Sequence, residues 1–238
     1  MSSILHSKFL VHWTGGGQTD FHNSHCALND DIRNKYVDRL LNTLQLGFFM
    51  KRGNETIWGA NNQNVTASIS RVCFTEIKLS LAKQHAGKYG LLGIGVSRHY
   101  VLERFGGPVF YVQNGRLSNV VENFHKVSQF LLGQPKEVRD EFSVLTGYLK
   151  NMSERDNQEL LYYDEMEWRV VHLNRLDGKY VSTQDPTNFI YRLLINPTDI
   201  KVIVFPDSRT KTMALQRPDL HALIDNPIFV TLEECENF

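Results

Sequence analysis

Ser68-Ile-Ser-Arg-Val-Cys-Phe-Thr75 is the stretch from which the fold class is read. Its β-branched and aromatic residues alternate with polar ones, which predicts a strand. Residues 80–89 then carry helix-forming composition and stop at Gly90. Leu91-Leu-Gly-Ile-Gly-Val96 follows as a buried strand, and its glycines point to close backbone approach. A short helix over 99–105 ends at Gly106-Gly-Pro108, and Val109-Phe-Tyr-Val112 is a further strand. Strand, helix, strand, short helix, strand is the grammar of an α+β chain.

Towards the N-terminus, Lys8-Phe-Leu-Val-His-Trp13 predicts a first strand, broken by Thr14-Gly-Gly-Gly17. Such a glycine run either lets the backbone approach a ligand or makes a surface turn. Asn29 or Asp30 can cap a helix whose apolar side is Ile32, Tyr36, Leu40, Leu41 and Leu44, ending at Gly47. Phe48-Phe49 leads into a strand or edge, and 53–64, dominated by Asn and Gly, reads as loop. Towards the C-terminus, Val120, Val121, Phe124, Val127, Phe130 and Leu131 make one apolar helix face, and Val138, Phe142, Leu145 and Leu149 a second after Pro135. This block, about 117–152, reads as a helical insertion or lid. Strands are expected over 167–171, 189–195, 200–205 and 228–230. Short helices are expected over 210–215, capped by Ser208, and from Pro218 to 223. No repeat or linker divides the chain, so one domain over 1–238 is expected.

The 26 basic and 26 acidic side chains cancel, which argues against a mostly electrostatic nucleic-acid binder but leaves room for a local basic groove. Three scattered cysteines, Cys26, Cys73 and Cys235, fit no disulfide framework and suggest a reducing, cytoplasmic setting. The first ten residues do not read as a signal peptide, and no apolar run approaches a membrane span, so no membrane partner is expected. His22, His25 and Cys26 lack a matching second pair of ligands, so no metal is expected.

Two stretches place chemistry-bearing groups close together. Glu165 and Glu167 stand two apart at the start of a strand, where alternate residues share a face. Side-by-side carboxylates repel and are costly to bury. They serve as oxocarbenium stabiliser and base, or Glu167 simply pairs with Arg169 on the same face. A glycosidase is disfavoured, because its carboxylates flank the substrate from opposite sides. The second stretch is Cys73-Phe-Thr-Glu76 with the following Ser80, His85 and Tyr89. Phe74, Thr75 and these groups suit a flat heterocycle, or else core packing and capping. His12, beside the glycine run, is either a donor to a ligand hydroxyl or a half-buried strand histidine.

Taken in order, His12-Trp-Thr14, Leu44-Gln-Leu-Gly47-Phe48, Val72-Cys-Phe-Thr-Glu76 with the helix to Tyr89, and Glu167-Trp-Arg-Val-Val171 resemble the ADP-ribosyltransferases of the diphtheria-toxin and poly(ADP-ribose) polymerase branch. Cys73-Phe-Thr-Glu-Ile77, the 85–90 segment with Gly93-Ile-Gly95, Pro108-Val-Phe-Tyr111 and Asp164-Glu-Met-Glu-Trp-Arg169 resemble, more closely, the abortive-infection phage-resistance proteins of the AbiGi type, over about residues 8–205. The first resemblance implies a split β-sheet transferase fold and NAD as co-substrate. It implies that His12 holds the nicotinamide-side ribose, the Trp13 backbone grips the carboxamide and Thr14 faces the adenosine. It also implies that Tyr89 or His85 stacks on nicotinamide, within a pocket that includes Phe74, Thr75 and Ser80. Glu167 would be catalytic and Glu165 accessory, with ADP-ribose passed to nucleic acid or protein. The expected biology is an antiphage toxin with a neutralising antitoxin partner. Some AbiGi-type proteins are described as antitoxins, so the alternative is a non-catalytic interaction protein.

Overall fold

The computed structural model describes residues 9–15, 28–59, 64–76, 78–113, 119–152 and 165–237. They form a mixed α+β structure in two compact units, 1–49 with 74–103 and 192–238, and 50–73 with 104–191.

In the first unit, β1 (Phe9–Thr14) pairs antiparallel along its whole length with β5 (Leu92–Ser97). On the other edge of β5 lies β12 (Ile200–Phe205), antiparallel, and beside it β13 (Ile228–Thr231), parallel. Parallel neighbours need a long crossover, supplied here by α6 (Ser208–Leu215) and α7 (Pro218–Ala222). Asp207, not Ser208, caps α6: its carboxylate accepts from the Thr210 N–H at 2.7 Å. One face of this sheet packs Val11, Trp13, Val202, Val204 and Val230 against Ala82 and Ala86 of α2 (Ala82–Tyr89).

The long helix α1 (Asp30–Leu46) begins where the residue pattern requires: Asn29 accepts from the Ile32 N–H at 2.9 Å. It ends at Gly47, whose φ of 91° is a conformation that side chains resist, and the strand β2 (Phe48–Phe49) follows. A Cβ on Gly47 would stand 2.4 Å from the backbone oxygen of Leu193. Gly47→Ala is therefore expected to cost about 1–3 kcal/mol in urea unfolding; an unchanged midpoint would show that the turn relaxes freely.

In the second unit, β3 (Lys51–Ile57) and the first seven residues of β4 (Val65–Thr75) form a hairpin in continuous register from Lys51↔Arg71 to Ile57↔Val65. Residues 53–57 are thus strand, not the expected loop. Their polar side chains belong to a half-buried strand whose cross-strand neighbours, such as Thr56 with Thr66, hold it in place. β9 (Glu167–Val171) lies along β4, with the His172 N–H donating to Ser70 O at 2.9 Å. The short β6 (Gly107–Pro108) pairs with β9. The expected helical block holds α4 (Asn119–Leu131) and α5 (Lys136–Thr146). It stops earlier than predicted, because Leu149–Asn151 is a strand, β8, parallel to β7 (Phe110–Val112). A further strand absent from the sequence reading, β10 (Val181–Asp185), precedes β11 (Ile190–Leu193).

Candidate functional site

The sequence-predicted residues fall into three groups. Within the first unit, alternation along β1 separates Val11 and Trp13 from His12 and Thr14. Trp13 packs on the α2 side, where its Nε1–H donates to Thr75 Oγ1 at 3.0 Å and the Thr75 hydroxyl in turn donates to Val11 O. His85, buried, and Tyr89, 37% exposed, are on α2, with ring centres 6.3 Å apart. Ser80 lies in the 3-10 turn Leu79–Leu81 that leads into it. His12 packs edge-on against Phe48 and Phe74, with centroids at 4.9 and 6.0 Å. The sheet therefore has His12, Thr14 and Phe74 on one face, and Trp13 and Thr75 on the other, against which α2 packs.

His12 and Thr14 line a cavity of about 430 Å³ together with Lys35, Asp38, Arg39, Asn42 and Thr43 of α1, and Phe49 and Arg192. Gly15, the first of the three glycines, has φ of 107°, and a Cβ there would meet the Tyr36 ring at 2.5 Å. Its close approach is to α1. Gly16, Gly17, His22, His25 and Cys26 lie outside the described residues. Among the described residues, no cluster of His, Cys, Asp and Glu is able to hold a metal ion.

The third group is in the second unit. Glu165 precedes β9, and Met166 between it and Glu167 has φ of 45°, a left-handed conformation uncommon for such a residue. Simple strand alternation is therefore not what brings the two carboxylates together. They converge on Lys150 of β8: its Nζ lies 2.5 Å from Glu165 Oε2 and also bonds Glu167 Oε2. Lys150 sits beside Tyr111 in the parallel β7–β8 register, and the Tyr111 hydroxyl accepts from the Glu167 N–H at 2.7 Å.

Arg169 closes the other side. Its side chain is only 2% exposed. Its Nε donates to Glu167 Oε1 at 2.6 Å, its Nη1 to Gly147 O at 2.7 Å and Leu149 O at 3.2 Å, and its Nη2 to Glu55 Oε2 at 3.0 Å. Arg71 shares Glu55, at 2.9 Å. Three carboxylates thus face three cations in a largely buried network. Burial alone would raise the Glu167 carboxyl; Arg169 and Lys150 outweigh it and bring it down to about 2. Burial opposes the charge of Lys150 as well, yet Glu167 and Glu165 hold it above the usual lysine range. Burial, reinforced by the Glu167 carboxylate, pushes the Cys73 thiol up to about 12, so it is no nucleophile at neutral pH.

The ion pair between Glu167 and Arg169 was one of the two readings open from sequence. Lys150 was not found, because its segment reads as the end of a helix. Its one signal is a lysine between Leu149 and Asn151, both buried in the structure. Arg39 and Arg192 likewise carry no motif.

No curated protein and no solved structure matches the chain. Among the described residues no helix is long and apolar enough to cross a membrane. Residues 48–206, more than half of the chain, match the family model described as "Putative abortive phage resistance protein AbiGi, antitoxin". That span includes β9 and every member of the ion network around Glu167. The chain belongs to the AbiGi family of abortive phage resistance proteins.

Proposed function

We propose that this chain serves phage defence by binding a protein, as the antitoxin of a toxin–antitoxin pair, rather than by transferring ADP-ribose. The observation that carries this reading is the α4–α5 surface. α4 turns Val121 and Phe124 inward, against Ile57, Val112 and Leu149. Three of its other apolar residues stay outside: Val120 is 50% exposed, Val127 45% and Phe130 70%, with Leu132 just beyond the helix at 66%. Val138 and Leu145 of α5 are exposed as well. Apolar side chains gathered on one pair of helices are what a protein partner covers, and the family description names an antitoxin.

The rival reading is a split-sheet transferase that uses NAD and modifies nucleic acid or protein. It needs Glu167 to take a ribose hydroxyl, and both oxygens of that carboxylate are already held by Arg169 and Lys150. It also needs His12 and Tyr89 or His85 in one nicotinamide pocket, whereas β1 carries His12 on the face away from α2.

The test is co-expression with the toxin of the same defence system. The wild-type chain is expected to restore growth and to co-purify with the toxin. Phe130→Asp is expected to abolish both while leaving the unfolding temperature unchanged, since Phe130 is mostly solvated. Incubation with labelled NAD and pools of RNA, DNA and cell protein completes the test. Nicotinamide release that disappears in Glu167→Gln would overturn the binding-only reading and restore the transferase.

A further inference from the structure

The cavity beside α1 has a charge pattern that the partner-binding reading leaves unused. Lys35 and Arg39 are one turn apart on α1, and Arg192 enters from β11. Among the described residues the one carboxylate in the lining, Asp38, is 3.3 Å from the guanidinium of Arg217. Arg39 donates to Thr14 Oγ1 at 3.2 Å, and neither it nor Lys35 nor Arg192 has an ion-pair partner among the described residues. Arg192 is the most telling. It is held in register opposite Phe49, with its guanidinium 5.0 Å from the centre of the Phe49 ring. Its Nε is enclosed and has no acceptor among the described residues. Burial lowers its pKa with no carboxylate to offset it. A guanidinium with an enclosed N–H that lacks an acceptor is costly unless an anion completes it.

The cavity is also too large for an inorganic anion alone. At about 430 Å³ it is the size of a small organic ligand. Phe49, 45% exposed, gives it an aromatic wall, and Thr14, Asn42 and Thr43 give it neutral donors and acceptors. We propose that this pocket binds a nucleotide, with the phosphates on Arg39, Arg192 and Lys35 and the nucleoside against Phe49. The assignment rests on the first unit alone and stands or falls separately from the docking role of α4–α5.

The experiment is calorimetric titration of the full chain, at fixed ionic strength, with ADP, GDP, CDP, UDP and pyrophosphate. At least one nucleoside diphosphate is expected to bind more tightly than pyrophosphate. Arg192→Gln and Arg39→Gln are each expected to weaken that binding about tenfold or more, as loss of a charged hydrogen bond does. Without ligand, Arg192→Gln is expected to keep or raise the unfolding temperature, since its guanidinium has no acid to lose. No binding of any of the four nucleotides overturns the proposal, and so does pyrophosphate binding as tightly as the best of them. Nucleotide binding that both substitutions leave unchanged overturns it as well.

Discussion

Replacing Arg169 with methionine is expected to lower the folding free energy by about 3–5 kcal/mol, the range seen when one partner of a buried ion pair is removed. The guanidinium satisfies two backbone carbonyls, Gly147 O and Leu149 O, and two carboxylates, Glu167 and Glu55. Methionine fills much of the volume and satisfies none of them. Glu55 keeps Arg71, and Glu167 keeps Lys150, so the loss falls mainly on Glu167 Oε1 and the two carbonyls. The pH dependence identifies the cause. In the wild type Glu167 sits at about 2 against an ordinary 4.5, so its contribution is present above 4.5 and is lost as pH falls through 2. In Arg169→Met the folded-state value rises, because burial is no longer offset by the guanidinium. The deficit relative to wild type should therefore shrink on acidification, and adding Glu167→Gln should recover part of it at neutral pH. Urea unfolding of the three chains at several pH values measures this. Equal midpoints for Arg169→Met and wild type would show that the network does not hold the fold.

The elements that could be read from residue pattern are those whose local chemistry decides them. The α1 boundaries follow from Asn29 and Gly47, and β5 and β12 from apolar runs too short for helices. The β3 strand was missed because its stability is cross-strand: Arg52, Asn54 and Glu55 have no apolar alternation, and only the pairing with β4 orders them. β8 was absorbed into a helix because three residues carry no period, and its partner, β7, is distant in sequence. The candidate site divides the same way. Glu165 and Glu167 are neighbours in sequence, so their proximity was visible, and so was Arg169 as an ion partner. Lys150, 15 residues before Glu165, arrives only through the β7–β8 pairing, and the left-handed Met166 that aims Glu165 has no signature at all. Arg192 reaches the α1 cavity in the same way, through the pairing of β11 with β2.

Lys150→Met is expected to invert the acid response of the protein. Two carboxylates, Glu165 at 3% and Glu167 at 5% side-chain exposure, converge on this one ammonium. With methionine in its place the two carboxylates lose the ammonium they share, while Arg169 still compensates Glu167. Like charges at such range cannot both ionise without cost, so the pair should retain a proton well above the ordinary carboxylate range. A carboxyl whose folded pKa is raised stabilises below its unfolded value of about 4.5, and the contribution disappears as pH rises through the new, higher value. The variant should accordingly be most stable in mild acid and lose stability towards neutrality. The wild-type network has the opposite slope, losing the contribution of Glu167 only as pH falls below 4.5 towards 2. At neutral pH the expected deficit is about 3–5 kcal/mol, comparable with that of Arg169→Met. Lys150→Arg, which keeps the charge, should retain the wild-type slope, and Lys150→Met with Glu165→Gln should restore part of the neutral-pH stability. Thermal unfolding from mild acid to neutrality reads all three. A Lys150→Met profile parallel to the wild type would mean that the two carboxylates separate when the lysine is gone, and that Lys150 follows the cluster instead of assembling it.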